Sequence, residues 1–131
     1  MKKLFKKAGV PVVPGQVVKT SQSVDRTVSK LGLPLIAKPD NGVGAAGTYK
    51  LEKLEDIENF KKEWNEETPY FFEKFVESGQ ICTFDGLTDK EGNIVFSTVF
   101  DYAHTPLDLM LYKMDNSYYV LKDIDPKHTQ H

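Results

Sequence analysis

One lysine and three glycines stand close enough in this chain to handle an anion. Lys38 ends the apolar run Leu35-Ile36-Ala37, Pro39-Asp40-Asn41 turns the chain, and Gly42-Val43-Gly44-Ala45-Ala46-Gly47 leads into Thr48-Tyr49-Lys50-Leu51. Small residues let backbone N–H groups close on phosphate oxygens, and glycine reaches the positive φ that a concave turn requires. The lysine supplies a fixed charge. The chemistry this pattern predicts is phosphate holding by a loop between two strands.

Other loops of similar composition compete with that reading. Gly42, Gly44 and Gly47 fit GxGxxG, but that dinucleotide fingerprint needs a helix starting inside the loop to hold the pyrophosphate. Here residues 48–51 read as a strand and the next helical pattern begins near Leu54. Protein kinases also place a glycine loop between strands, with the lysine on a later strand, whereas Lys38 precedes its loop. A hairpin with no ligand is the plain alternative.

Positioning these residues takes a strand to deliver the lysine and a partner strand beyond the loop. Residues 33–38 are the predicted lysine strand; the helix before it carries Val24, Val28 and Leu31, is capped by Ser21 or Ser23 and is ended by Gly32. Upstream, Met1, Leu4, Phe5 and Ala8 share one face of a short helix closed by Gly9, prolines force residues 10–14 to be extended, and 16–19 is a short strand. Downstream, Leu54, Ile57, Phe60, Lys61 and Trp64 mark an amphipathic helix whose Lys61 stem lies along the apolar edge. Glu55 and Asp56 open that helix and Lys61 and Lys62 follow, the polarity its dipole favours, so its charges predict a solvated face. Residues 70–77 form a strand interrupted by charge, and 80–87 pairs with 94–100 across a turn at 89–93. Residues 101–116 are expected to hold a mobile loop with Leu107, Met110, Leu111 and Met114 on a short helix face. A strand at 117–123 and a frayed tail complete the chain.

Composition sets the class. At 131 residues the chain is one domain or most of one, and 40% hydrophobic with 27% charged residues is ordinary for a globular protein. Net charge is −2 with scattered lysines, which predicts no nucleic-acid face and no polybasic membrane patch. Cys82 has no disulfide partner and reads as a reduced, half-buried core residue, which together with the lack of a signal-peptide or membrane-span pattern predicts a cytoplasmic location. Asp101, His104 and Asp108 are too loosely spaced to imply a metal site. Asp85-Gly86 reads as a bulge or a ligand-facing acid, and His128 and His131 fall in the tail.

With Glu73-Lys74-Phe75-Val76 the pattern becomes specific. The order of a small αβ unit, lysine strand, glycine loop, strand, helix and an acidic-basic-aromatic-aliphatic strand resembles the nucleotide-binding part of ATP-grasp ligases, the superfamily of D-alanine ligases, biotin carboxylase and many carboxylate-amine ligases. Ala8-Gly9-Val10-Pro11-Val12-Val13-Pro14 is similar to the lead-in of that unit, and the resemblance spans nearly the whole chain. It implies an α/β (α+β) ATP-grasp fold in a single incomplete domain. Residues 1–76 are the expected lid subdomain and hinge, and 77–131 the start of a second subdomain with part of a larger antiparallel sheet. Lys38 is implied to neutralise ATP phosphates, and the backbone of Gly42, Val43, Gly44, Ala45, Ala46 and Gly47 to fold over them. The Lys74 carbonyl and the Val76 N–H, flanking Phe75, are implied to read adenine with the Glu73 carboxylate near its amine. Glu77 or Gln80 is implied at the ribose. Taken alone, Lys38 reads as a surface lysine, Glu73 and Lys74 as an exposed edge-strand pair, and Phe75 and Val76 as core.

The reaction implied by the resemblance is activation of a carboxylate as an acyl phosphate, which an amine then opens. Mg²⁺ bridges the phosphates in such chemistry. The family's metal-binding acids have no counterpart here, so its ligands are expected outside this chain, no catalytic residue is assigned, and the isolated chain is expected not to turn over. The alternative is a non-catalytic nucleotide- or partner-binding module. Exposed sheet edges predict self-association.

Overall fold

A computed structural model describes residues 2–41, 46–77, 79 and 81–121 of the chain. Two units separate, Met1–Glu77 and Ser78–His131, each built on its own sheet.

The first unit runs α1 (Lys2–Lys7), β1 (Gly15–Val18), α2 (Ser21–Leu31), β2 (Leu35–Pro39), β3 (Tyr49–Leu51), α3 (Leu54–Glu63) and β4 (Tyr70–Lys74). All pairings are antiparallel in the order β1-β4-β2-β3, so β4, the last strand in sequence, is interior. Strand alternation sorts side chains onto two faces. Val18, Leu35, Ala37, Leu51 and Phe72 pack with Val24 of α2 and with Ile57 and Phe60 of α3 to form the core. The same strands turn Val17, Ile36, Lys38, Lys50, Phe71 and Glu73 to the opposite face. Phe60, 1% exposed, is the hub: the rings of Tyr49, Trp64, Tyr70 and Phe72 lie 5.0 to 5.4 Å from it.

Several local expectations change. The residue flanking α2 is Thr20 rather than Ser21 or Ser23, because the Ser21 N–H and hydroxyl both donate to the Glu66 carboxylate, 45 residues away, and Ser23 Oγ donates back to the Thr20 carbonyl. Gly32 does end α2, at φ +71° with its N–H on the Val28 carbonyl. Leu54 is 73% exposed, since the first residue of α3 points away from the sheet while Ile57 and Phe60 face it. Leu4 and Phe5 are also exposed, and α1 buries no residue. Lys61 bridges Asp25 of α2 and Glu58 at 2.6 and 3.0 Å, so its stem covers the helix seam as its position suggests.

The second unit contains β5 (Ile81–Thr88), β6 (Ile94–Tyr102), α4 (Pro106–Tyr112) and β7 (Tyr118–Val120), with an antiparallel sheet ordered β5-β6-β7. Asp89 makes the hairpin turn, its carboxylate accepting from the N–H groups of Glu91 and Asn93. The register shift falls at Leu87/Thr88, so Asp85-Gly86 is not a bulge; Gly86 stands opposite Ser97 in unbroken register. Thr105 caps α4 reciprocally with Asp108, and Lys113 at φ +51° ends it. The side chains of Met110 and Leu111, expected on its apolar face, lie outside the described set, as do residues 122–131. Cys82 is exposed rather than half-buried, because β5 is an edge strand of its sheet; Val99, on the same face of the central strand β6, is buried.

Candidate functional site

β2 presents Lys38 and β4 presents Glu73 on the same open face, with Lys38 opposite Phe71 and Ile36 opposite Glu73. Lys38 Nζ donates to Glu73 Oε1 at 2.5 Å, and Lys2 Nζ, arriving from α1, donates to Glu73 Oε2 at 2.5 Å. The Glu73 side chain is 16% exposed and that of Lys38 44%. Burial pushes the Glu73 carboxyl up, but the hydrogen bonds from Lys2 and Lys38 outweigh it and hold the group below its ordinary value. Glu73 is therefore ionised and sheltered, with Lys38 its accessible partner.

Glu73 and Lys74 are not an edge pair. Alternation along an interior strand sends Lys74 to the helix side, where its Nζ donates to the Gly32 and Leu33 carbonyls at 3.4 and 2.7 Å and ties the end of α2 to β4. What Lys74 offers the hinge is its backbone. Its N–H donates to the Pro14 carbonyl at 3.0 Å, and the Phe75 N–H donates to the Pro34 carbonyl at 3.1 Å. An antiparallel pair of this kind returns a second bond from the opposite N–H. Proline has none. The ladder thus returns no donor from Pro14 to the Lys74 carbonyl, which faces the side on which β1 has ended.

Beyond β4, Phe75 is half-buried beneath Lys50, whose Nζ lies 4.6 Å from the ring centre. Val76 is 59% exposed and Glu77 is exposed, so Val76 is not the core residue its apolar character suggested; β4 has already stopped where its partners become proline. At the close of the glycine loop, Gly47 has φ +69°, and a Cβ there would lie 3.1 Å from Pro39 Cγ and 3.3 Å from the Tyr70 hydroxyl. The conformation favours glycine, and a Cβ would sit tight against both neighbours. Ala46 beside it is exposed. Gly42, Val43, Gly44, Ala45 and Gln80 lie outside the described residues.

Two contributors escaped the motif. Nothing in the sequence marks Lys2, which reaches Glu73 across 71 positions. Pro14 was visible as a residue enforcing an extended path, but its role as a withheld donor depends on register. A cleft of about 360 Å³ opens between Pro39, Tyr49, Glu63, Trp64 and Tyr70, and among the described residues its lining includes none of the predicted site residues. Asp101, His104 and Asp108 form no metal cluster: Asp108 is engaged in capping α4, and no group of three His, Cys, Asp or Glu side chains converges among the described residues.

An antiparallel sheet backed by two helices, with a lysine, a glycine-closed loop and a half-open hinge strand, has the architecture of the ATP-grasp fold. Residues 1–105 match the family described as carbamoyl-phosphate synthase L chain, ATP binding domain, and the chain belongs to that family. The 2-oxoglutarate carboxylase small subunit of Hydrogenobacter thermophilus is 30% identical over 103 residues, covering 72% of this chain and 22% of its own length. The N5-carboxyaminoimidazole ribonucleotide synthase of Aquifex aeolicus is 32% identical over 96 residues, covering 72% of this chain and 26% of its own length. Among solved structures, the Staphylococcus aureus N5-carboxyaminoimidazole synthetase complexed with ADP superposes with a TM-score of 0.70 at 24% identity, over 80% of this chain and 28% of that one. The chain spans 21% to 26% of the length of such curated relatives. Among the described residues no helix is long and apolar enough to cross a membrane.

Proposed function

We propose that this chain is the ATP-binding part of an ATP-grasp ligase that activates a carboxylate as an acyl phosphate for attack by an amine. The observation that carries the reading is the juxtaposition on one unit of Lys38, Glu73 and a Lys74 carbonyl to which the proline opposite returns no bond. Lys38, accessible and charged, exchanges the carboxylate for phosphate oxygens. The backbone of residues 42–47 closes over the same phosphates. The Lys74 carbonyl accepts from the adenine amine and the Val76 N–H donates to the ring, as one strand edge reads another, with Glu73 and Phe75 lining the base and Glu77 or Gln80 holding the ribose. In this reading residues 1–76 are lid and hinge and 77–131 begin the second subdomain.

Mg²⁺ would neutralise the crowded phosphates. In this reading its ligands lie outside this chain. Binding without turnover is the activity assigned to this chain alone, and a detectable ligase or ATPase rate in the pure chain would refute that assignment. An unpaired, exposed Cys82 suits a reducing cytoplasm, and the edge strands β1, β3, β5 and β7 suit self-association.

Lys38→Ala tests the reading. Glu73 keeps Lys2 as a partner, and a half-exposed ion pair is worth about 0–1 kcal/mol, so the melting temperature should barely change. Affinity for ATP should fall roughly tenfold, the loss expected of one charge-assisted hydrogen bond. Equal ATP affinity in variant and wild type, measured calorimetrically, removes Lys38 from the site.

A further inference from the structure

The two oxygens of Glu73 are held by lysines from distant parts of the chain. Lys2 engages Oε2 and also donates to the Val13 carbonyl at 2.8 Å, while Lys38 engages Oε1. Both ammonium groups lie against one ring, 5.0 and 5.9 Å from the centre of Phe71. Lys50 of β3, on the same face, is engaged with Glu52 at 2.8 Å and lies over Phe75. Since α1 buries no residue, packing of that helix does not explain where Lys2 sits; its two hydrogen bonds do.

A sheltered carboxylate is costly to leave without a counter-charge. Lys38 faces that cost whenever it turns from Glu73 to a phosphate. We propose that Lys2 is the standing counter-ion of Glu73, a positioning residue that keeps the carboxylate paired while Lys38 is handed over to a polyphosphate. The inference rests on the nucleotide reading above and adds to it a residue outside every motif. In the free chain Glu73 has two partners. In the bound chain it has one, Lys2, and Lys38 has changed from carboxylate to phosphate without leaving an uncompensated charge beneath the nucleotide.

The test is a double-mutant cycle on the full chain with MgATP, tripolyphosphate and adenosine as separate probes. Lys2→Met should weaken MgATP and tripolyphosphate by about tenfold, Lys2→Arg should restore most of the affinity, and adenosine should be indifferent because it does not recruit Lys38. In a Glu73→Gln background the same Lys2→Met change should cost less than about twofold, since no carboxylate remains to be compensated. The Glu73 carboxyl, followed by ¹³C NMR, should stay low on saturation with MgATP in the wild type. In Lys2→Met it should rise on binding. An undiminished loss in the Glu73→Gln background would mean that Lys2 acts on the phosphate itself or through α1, and would overturn the hand-off. So would a Lys2→Met variant that binds tripolyphosphate as the wild type does. A wild-type chain that binds neither MgATP nor tripolyphosphate would overturn the nucleotide reading and the hand-off together; one that binds both while ignoring Lys2→Met removes the hand-off alone.

Discussion

Pro14→Ala should cost nucleotide affinity without touching any residue that meets the nucleotide through its side chain. The Pro14 carbonyl already accepts from the Lys74 N–H at 3.0 Å, so an alanine there brings a new N–H into register with the Lys74 carbonyl. A backbone hydrogen bond of this kind contributes a net ~0.5–1.5 kcal/mol. The adenine amine must displace it, so ATP binding should weaken by about 2- to 12-fold, at ~1.4 kcal/mol per decade. Fold stability should move little, because the new bond offsets the ~0.4–1 kcal/mol lost when proline no longer restricts the unfolded chain. The assay compares calorimetric titrations with ATP and with purine riboside triphosphate, which lacks the exocyclic amine. ATP should lose affinity in the variant and the analogue should not. Unchanged ATP binding, or an equal loss for both nucleotides, would refute the assignment of the Lys74 carbonyl to the amine.

Other outcomes follow from the packing and the charges. Phe60→Ala removes the hub of the aromatic cluster and should cost ~3–5 kcal/mol, a large share of the ~5–15 kcal/mol a domain commands, seen as a collapse of the urea midpoint of the first unit. Gly15→Ala places a Cβ 2.7 Å from the Phe72 carbonyl and from the Phe71 ring, which forces β1 away from β4 and should cost ~1–3 kcal/mol in thermal unfolding; a neutral result would refute the close approach. Glu73 has a folded-state pKa below its ordinary 4.5, so its stabilisation is present above that value and lost as pH falls through the lowered one. Glu73→Gln should therefore flatten the acid limb of the stability curve, and an unchanged limb would contradict the ion-pair assignment.

The parts legible in the sequence are those fixed by local periodicity. Ile57, Phe60 and Trp64 define the buried side of α3, Gly32 stops α2, and the short apolar segments 35–37 and 49–51 become β2 and β3. Lys38 at a strand end and Gly47 at the loop's close were likewise readable from residue type. The rest depends on what lies opposite. β4 ends at Lys74 because Pro14 and Pro34 stand across from Lys74 and Phe75, a fact of register that its own sequence, which resumes apolar residues at Phe75 and Val76, does not carry. Glu66 engages Ser21 at the start of α2 from 45 residues away. Lys2 has no local signal at all. The apolar character of Val76 and Cys82 predicts burial, whereas exposure depends on place: Val76 lies beyond the end of β4 and Cys82 on an edge strand, while Val99 on the central β6 is buried.

The central claim is that the first unit holds ATP between its lysine face and its hinge. Backbone amide shifts during titration of the chain with ATP and Mg²⁺ test it most directly. The account predicts shifts concentrated at Lys38, at Gly47 and across residues 74–76, saturating together with one affinity. Saturating shifts confined to other surfaces, or none at these positions at millimolar nucleotide, would contradict it.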